Sequence, residues 1–208
     1  MEFENRVEWL EHRRGGVGAS DCSAIMGESP YSTMLDIYKS KVNPVEEKEP
    51  NWAMQLGNKL EPIARAKYEV MVDADFPAAN FVHAMKQHLR CSLDGFNIEL
   101  NKAIEIKYCG RNFTNSCPAK YKAQVQYQYA VTNCDSLDLV QINNINDINI
   151  IPIERDDEYI SRLLEKVDWF WACVIGRKEE EINEVFASEN LLKRKTKKPR
   201  SSVRNVLG

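Results

Sequence analysis

Two short runs, Ser92-Leu93-Asp94-Gly95 and Ile104-Glu105-Ile106-Lys107, hold the side chains best suited to chemistry. Side chains alternate along a strand, so Glu105 and Lys107 share one face while Ile104 and Ile106 take the other. A hairpin turning near Asn101 folds Asp94 back beside Glu105. Two carboxylates and an ammonium then converge on one patch. Carboxylates are hard oxygen donors that suit Mg²⁺ or Mn²⁺. A lysine beside them can position an attacking water or stabilise charge on a phosphoryl group in flight. The D-x₁₀-E-x-K spacing alone also fits an exposed hairpin with an ordinary Glu–Lys pair, so its surroundings must decide.

Those surroundings read as alternating helices and strands. Residues 3–13 have Phe3, Val7 and Leu10 at helical spacing, and Gly15, Gly16 and Gly18 break the pattern. Ser20 fits the N-cap of a short helix through Ile25 and Met26 that Gly27 ends. Ser32 or Thr33 opens the next, through Met34, Leu35, Ile37 and Tyr38. The proline-flanked stretch 42–50 reads as a loop, and 52–71 as the longest helix. Beyond Pro77, residues 80–84, 88–93 and 96–108 are extended, with a turn at Asn101-Lys102. A helix led by Pro118 covers 118–131, strands follow at 137–142 and 148–153, and 157–176 return to helix. This order predicts an α/β domain with a mixed central sheet.

Size and charge bound the function. The 208 residues suffice for one domain, 43% are apolar and 28% charged, and no apolar run is long enough to cross a bilayer. The charged N-terminus lacks a signal-peptide core, so the chain is expected in the cytoplasm, that of the host cell if it is phage-encoded. Six cysteines without a C-x-x-C pair, and only three histidines, argue against structural zinc or an iron–sulfur cluster. Residues 193–208 carry seven basic residues and no acid, leaving 21 basic against 31 acidic residues in the body, a net −10. The division predicted is a single domain over 1–192 and a basic, flexible tail over 193–208. That tail reads equally as a nucleic-acid tether or a solvated terminus.

Four blocks, in order, carry a resemblance: Trp9-Leu10-Glu11-His12-Arg13 with Gly15 and Ala19-Ser20-Asp21; Leu56-Gly57-Asn58-Lys59-Leu60-Glu61; the Ser92 to Lys107 segment; and Tyr121-Lys122-Ala123-Gln124-Val125-Gln126-Tyr127. From about Trp9 to Arg155 the chain resembles the lambda-phage exonuclease and the YqaJ-like viral recombinase nucleases of the PD-(D/E)xK superfamily. The resemblance implies a restriction-endonuclease-like α/β core, with a mixed central β-sheet flanked by helices. It implies Asp94 and Glu105 as metal ligands, the Ile106 carbonyl as a further ligand, Lys107 as catalytic lysine and Glu61 as an acidic residue beside the metals. Glu61 also reads as a helical partner of Arg65 at i+4. Tyr121 and Gln124 match residues lining the cleft, though by themselves they are ordinary helix surface.

The resemblance further implies a basic pocket for a 5′-phosphate built from Arg13, Ser20 and Ser92, helped by Gln124. An arginine forks onto phosphate oxygens and hydroxyls complete the cradle. Ser20 as a cap, Arg13 as a helix-end charge and Arg14 as a competitor are the rival readings. The activity implied is a Mg²⁺-dependent 5′→3′ exonuclease on double-stranded DNA ends, with Mn²⁺ as a substitute and two ions per site. It would leave 3′ single strands for recombination, with a single-strand annealing protein as partner and a ring-shaped homotrimer as assembly. An endonuclease or resolvase on the same core, and a catalytically dead DNA-end-binding protein, are the rivals. Two departures stand out: the ESPYST segment is short, and leucine rather than proline precedes Asp94.

Overall fold

Local chemistry sets most element boundaries in the computed structural model, which describes residues 6–43, 51–110 and 112–196. Helix α1 (Arg6–Arg14) ends at Gly15-Gly16, and β1 (Val17–Gly18) follows. The cap expected at Ser20 lies elsewhere. Residues Ala19–Asp21 form a 3₁₀ turn, the Gly18 N–H donates to Asp21 Oδ2 (3.0 Å), and α2 (Cys22–Ile25) starts after Asp21. Ser20 is thereby freed to face Arg13. Gly27 closes α2 at φ +72°.

Thr33 opens α3 (Met34–Val42) through a reciprocal capping box with Asp36. Asn51 caps α4 (Trp52–Val72) by accepting from the Met54 N–H at 3.0 Å. Of the loop expected at 42–50, residues 44–50 lie outside the described residues, as do Phe3 and most of the basic tail.

The strands are β2 (Ala79–Val82), β3 (Leu89–Leu93), β4 (Gly95–Asn97), β5 (Lys102–Tyr108), β6 (Ser136–Ile142) and β7 (Ile148–Ile153). Helix α5 (Ala119–Thr132) precedes β6, and α6 (Asp157–Ile175) and α7 (Glu179–Thr196) follow β7. The single sheet anticipated divides into two mixed sheets, β1-β3-β2 and β4-β5-β6-β7. The chain crosses from one to the other between β3 and β4, through Asp94 alone. Gly95 is required there, because a Cβ would lie 2.7 Å from both the Phe76 carbonyl and Ile104 Cγ1.

Helix α4 covers one face of the four-stranded sheet, with Leu60, Ala64 and Tyr68 packed on Ile104, Ile106, Val140 and Ile142. On the opposite face, Ala103 and Leu137 join α5 and α6 in the larger core. Helix α7, which the sequence pattern did not announce, packs on α3 and α6 and extends past residue 192 to Thr196. Among the described residues, no helix is long and apolar enough to cross a membrane.

Candidate active site at the seam of the two sheets

The β4–β5 hairpin pairs Gly95 with Ile104, which sets Asp94 opposite Glu105. Because β4 begins only at Gly95, the edge of β5 beyond Ile104 is unpaired on that side. Asp94 fills the gap: its Oδ2 accepts the Ile106 N–H at 2.7 Å. The N–H and C=O of one strand residue point to the same edge, so the Ile106 carbonyl also faces the Asp94 side. Asp94 Oδ1 carries no hydrogen bond among the described residues.

Glu105 is almost fully buried and heavily held. Gln124 Nε2 donates to its Oε1 (2.5 Å), Gln128 Nε2 donates to its Oε2, and Lys107 pairs with it. Lys107 Nζ also lies 5.5 Å from the centre of the Tyr121 ring. Burial and then the Glu105 charge push the Asp94 carboxyl up to about 8, with Lys107 opposing and Glu61 adding to the rise. Burial disfavours the Lys107 ammonium, but Glu105 and Asp94 outweigh it and hold its pKa above the ordinary lysine value. The centre therefore has more carboxylates than its one ammonium can neutralise, and without a cation Asp94 keeps its proton at neutral pH.

A divalent cation fits that imbalance. Asp94 and Glu105 are hard oxygen donors, and a free carboxylate oxygen and a strand carbonyl face the same gap. Among the described residues, no three His, Cys, Asp or Glu side chains gather closely enough to hold a metal by themselves. The groups that could donate to such a cation are the two carboxylates and the Ile106 carbonyl. Glu61, on α4, accepts from Arg65 Nη2 at 2.7 Å, the i+4 pairing foreseen, while its charge still reaches Asp94.

A second feature adjoins this centre. Arg13, Ser20, Ser92 and Gln124, the four residues expected to form one pocket, line a cavity of ≈ 80 Å³ with Trp9, His12 and Arg90. Arg13 Nη2 donates to Ser20 Oγ (2.8 Å) and Asp21 Oδ1 (3.2 Å), and its guanidinium lies 4.8 Å from the Trp9 ring centre. Asp21 also holds the buried Lys41 at 2.7 Å, and Lys41 Nζ donates to the Arg13 carbonyl at 2.8 Å. Arg14 is not part of the cavity lining.

Sequence reasoning missed Arg90 and Gln128. Arg90 Nη1 donates to the His12 carbonyl (2.5 Å) and Nε to the Gln87 carbonyl (2.9 Å). No carboxylate pairs with Arg90 among the described residues. A Cβ on Gly16 would lie 2.5 Å from the His88 backbone carbonyl, so the chain passes there without a side chain; one on Gly15 would meet the movable Arg90 guanidinium at 2.8 Å. The signals were present: Arg90 is two residues before Ser92, on the same strand face, and Gln128 is one helical turn after Gln124.

This α/β core, with Asp and Glu-x-Lys on an antiparallel pair at the seam of its mixed sheets, has the restriction-endonuclease-like fold. The chain belongs to the YqaJ-like viral recombinase domain family, which matches residues 8–135. Over 203 residues it is 25% identical to the uncharacterized protein YqaJ of Bacillus subtilis (strain 168). That match takes in 92% of this chain but only 63% of the relative's length. The alkaline exonuclease LHK-Exo of Laribacter hongkongensis superposes with a TM-score of 0.66 at 26% identity, covering 89% of this chain and 99% of that one. Its complex with dAMP matches equally well, at TM-score 0.67. A phage-related exonuclease of Haemophilus somnus 129PT shares the fold at TM-score 0.56 and 17% identity, over 82% of this chain and 96% of that one.

Proposed function

We propose that the chain is a divalent-metal-dependent deoxyribonuclease that degrades double-stranded DNA ends 5′→3′. The observation that carries this reading is the junction made by Gln124. One side chain both lines the cationic cavity and hydrogen-bonds Glu105. A terminal phosphate held in the cavity would bring the next phosphodiester over Asp94, Glu105 and Lys107. An enzyme that counts from a 5′-phosphate needs that coupling, whereas an endonuclease has no use for the cavity. The fold shared with an alkaline exonuclease crystallised with dAMP supports the same reading.

Asp94, Glu105 and the Ile106 carbonyl would hold Mg²⁺, with Mn²⁺ as substitute and two ions as the family expectation. Metal held there would supply an activated water and charge stabilisation for the leaving 3′-oxygen. Lys107 presents its ammonium to the phosphoryl oxygens, and Tyr121 and Glu105 limit its freedom. Gln124 and Gln128 fix the Glu105 carboxylate, so its oxygens need not reorganise during reaction. Arg13 and Arg90 bring two guanidinium groups to the terminal phosphate dianion, and Ser20 and Ser92 bring hydroxyls.

The test uses linear duplexes that differ only in 5′-phosphorylation, incubated with Mg²⁺ and followed by product length. We expect 5′-phosphorylated ends to be degraded first and 5′-mononucleotides to be released. Equal rates on both ends, or nicking of closed circles, would overturn the polarity. A ring-shaped homotrimer that hands its 3′ strand to an annealing protein completes the proposal. Light scattering that gave a monomer with and without DNA would remove the ring.

A further inference from the structure

The segment between Gly27 and α3 turns one large ring into solvent. Tyr31 is 79% exposed, yet its backbone is well held. Ser29 Oγ accepts from the Tyr31 and Ser32 N–H groups (3.1 and 3.2 Å), and Glu28 accepts from Tyr159 on α6 (2.7 Å). Lys120, at the start of α5, donates to the Tyr31 hydroxyl at 2.9 Å. Its Nζ lies 5.3 Å from the centre of the Tyr31 ring and 4.8 Å from that of Tyr121. Since Tyr121 also faces Lys107, rings and cations alternate from the reaction centre out to solvent.

An isolated exposed tyrosine needs no explanation. One held beside an ammonium and continuous with a phosphate-handling centre has the chemistry of a single-strand contact. The ring stacks on a base and the cation meets the backbone. We propose that Tyr31 and Lys120 form a stacking platform for an unpaired nucleobase of the strand entering the reaction centre. Lys120 and Gln124 are four residues apart on α5, about one turn or ~5.4 Å. The platform thus lies within reach of a nucleotide flanking the scissile bond. A base inside a duplex offers its faces only to its neighbours, so the platform requires the DNA end to be opened. This rests on the exonuclease reading and adds how the end is gripped.

The test places 5-iodouracil at each of the first three positions from the 5′-phosphorylated end of a duplex. Protein and duplex are mixed in EDTA, irradiated, and the cross-linked peptide is mapped by mass spectrometry. We expect one position to cross-link to Tyr31, and Tyr31→Ala to lose that product. Affinity for the end should fall about 5- to 100-fold in Tyr31→Ala and stay near wild type in Tyr31→Trp. Lys120→Ala should give a smaller loss. Thermal unfolding should not change, since the ring is exposed. Cross-links confined to other residues, or an unchanged affinity in Tyr31→Ala, would overturn the platform. If wild type binds and degrades phosphorylated ends while Tyr31→Ala matches it, only the platform falls. If wild type neither binds nor cuts, the exonuclease reading falls and the platform with it.

Discussion

The reaction centre and the cationic cavity share Gln124, yet they are built in opposite ways. Asp94, Glu105 and Lys107 lie within one hairpin, and their carboxylates outnumber their ammonium. Arg13, Ser20, Arg90, Ser92 and Gln124 come from α1, the 3₁₀ turn, β3 and α5. Around that cavity Arg13 and Lys41 share Asp21, and among the described residues no carboxylate pairs with Arg90. A negative site suits metal ions and a positive one suits a phosphate dianion. On the proposed exonuclease reading, the two side by side would orient a polyanion in one direction only. Under that proposal an acidic chain would act on DNA without a broad basic surface: charge is sorted locally, and the net charge of −3 conceals it.

Separating the two regions by mutation is the strongest test of that division. Lys107→Ala and Asp94→Asn should each lower turnover by at least roughly 10²–10³-fold, while end binding in EDTA changes little. A variant that cuts at the wild-type rate would remove the assignment of the centre. Cavity variants should behave in the converse manner. Arg13→Ala should lose about 10- to 100-fold on 5′-phosphorylated ends and little on 5′-hydroxyl ends. Arg90→Ala should give a similar selective loss, and Arg14→Ala a smaller one. If Arg14→Ala alone abolishes the preference, the cavity is not the phosphate site.

The cavity also depends on Asp21, which anchors Arg13 and neutralises the buried Lys41. Asp21→Ala should lower the unfolding free energy by about 3–5 kcal/mol, because Lys41 would remain buried without a counter-charge. Burial raises the Asp21 pKa, but Lys41 and Arg13 outweigh it and hold the value below 3.8. A depressed folded value means that the contribution is complete above the unfolded carboxylate value. It is lost as pH falls through the lower folded value. Urea titrations from pH 7 to pH 2 should therefore show wild type and Asp21→Ala converging only at the acid end. A constant difference would mean that the ion pair is not the source of stability.

The smallest effect is expected at the C-terminus. Removing residues 197–208 leaves α7 whole and deletes four of the seven tail cations. The salt dependence of DNA binding should flatten, by roughly 0.9 in log–log slope for each phosphate that is no longer neutralised. An identical slope in both proteins would make those residues inert toward DNA.

Much of the centre was legible because its determinants are short-range. Alternation along β5 separates Glu105 and Lys107 from Ile104 and Ile106, and the turn before Lys102 returns Asp94 to Glu105. Thr33, Gly27 and Pro118 mark helix ends through hydrogen bonds and steric limits that span only a few residues. The cavity was legible only by resemblance, and there incompletely. Gly16 read as part of a simple helix break, but it also admits the His88 backbone carbonyl, more than seventy residues later, 2.5 Å from where a Cβ would sit. Ser20 read as a cap until the 3₁₀ turn transferred that role. Helix α7 escaped notice because its segment is highly charged and, among the described side chains, only Ile182 and Val185 reach the core.

By itself, then, the sequence determined the hairpin, the spacing of its chemical groups and most of the helix starts, all set by contacts between near neighbours. Tertiary packing decided that the sheet divides at Asp94 and that Arg90 joins Arg13. It also decided that Gln124 and Gln128 brace Glu105, and that Tyr31 stands beside Lys120. Those pairs are distant in the chain. Periodicity and capping carry no information about which distant side chains will share a cavity; close packing of helices on sheets does.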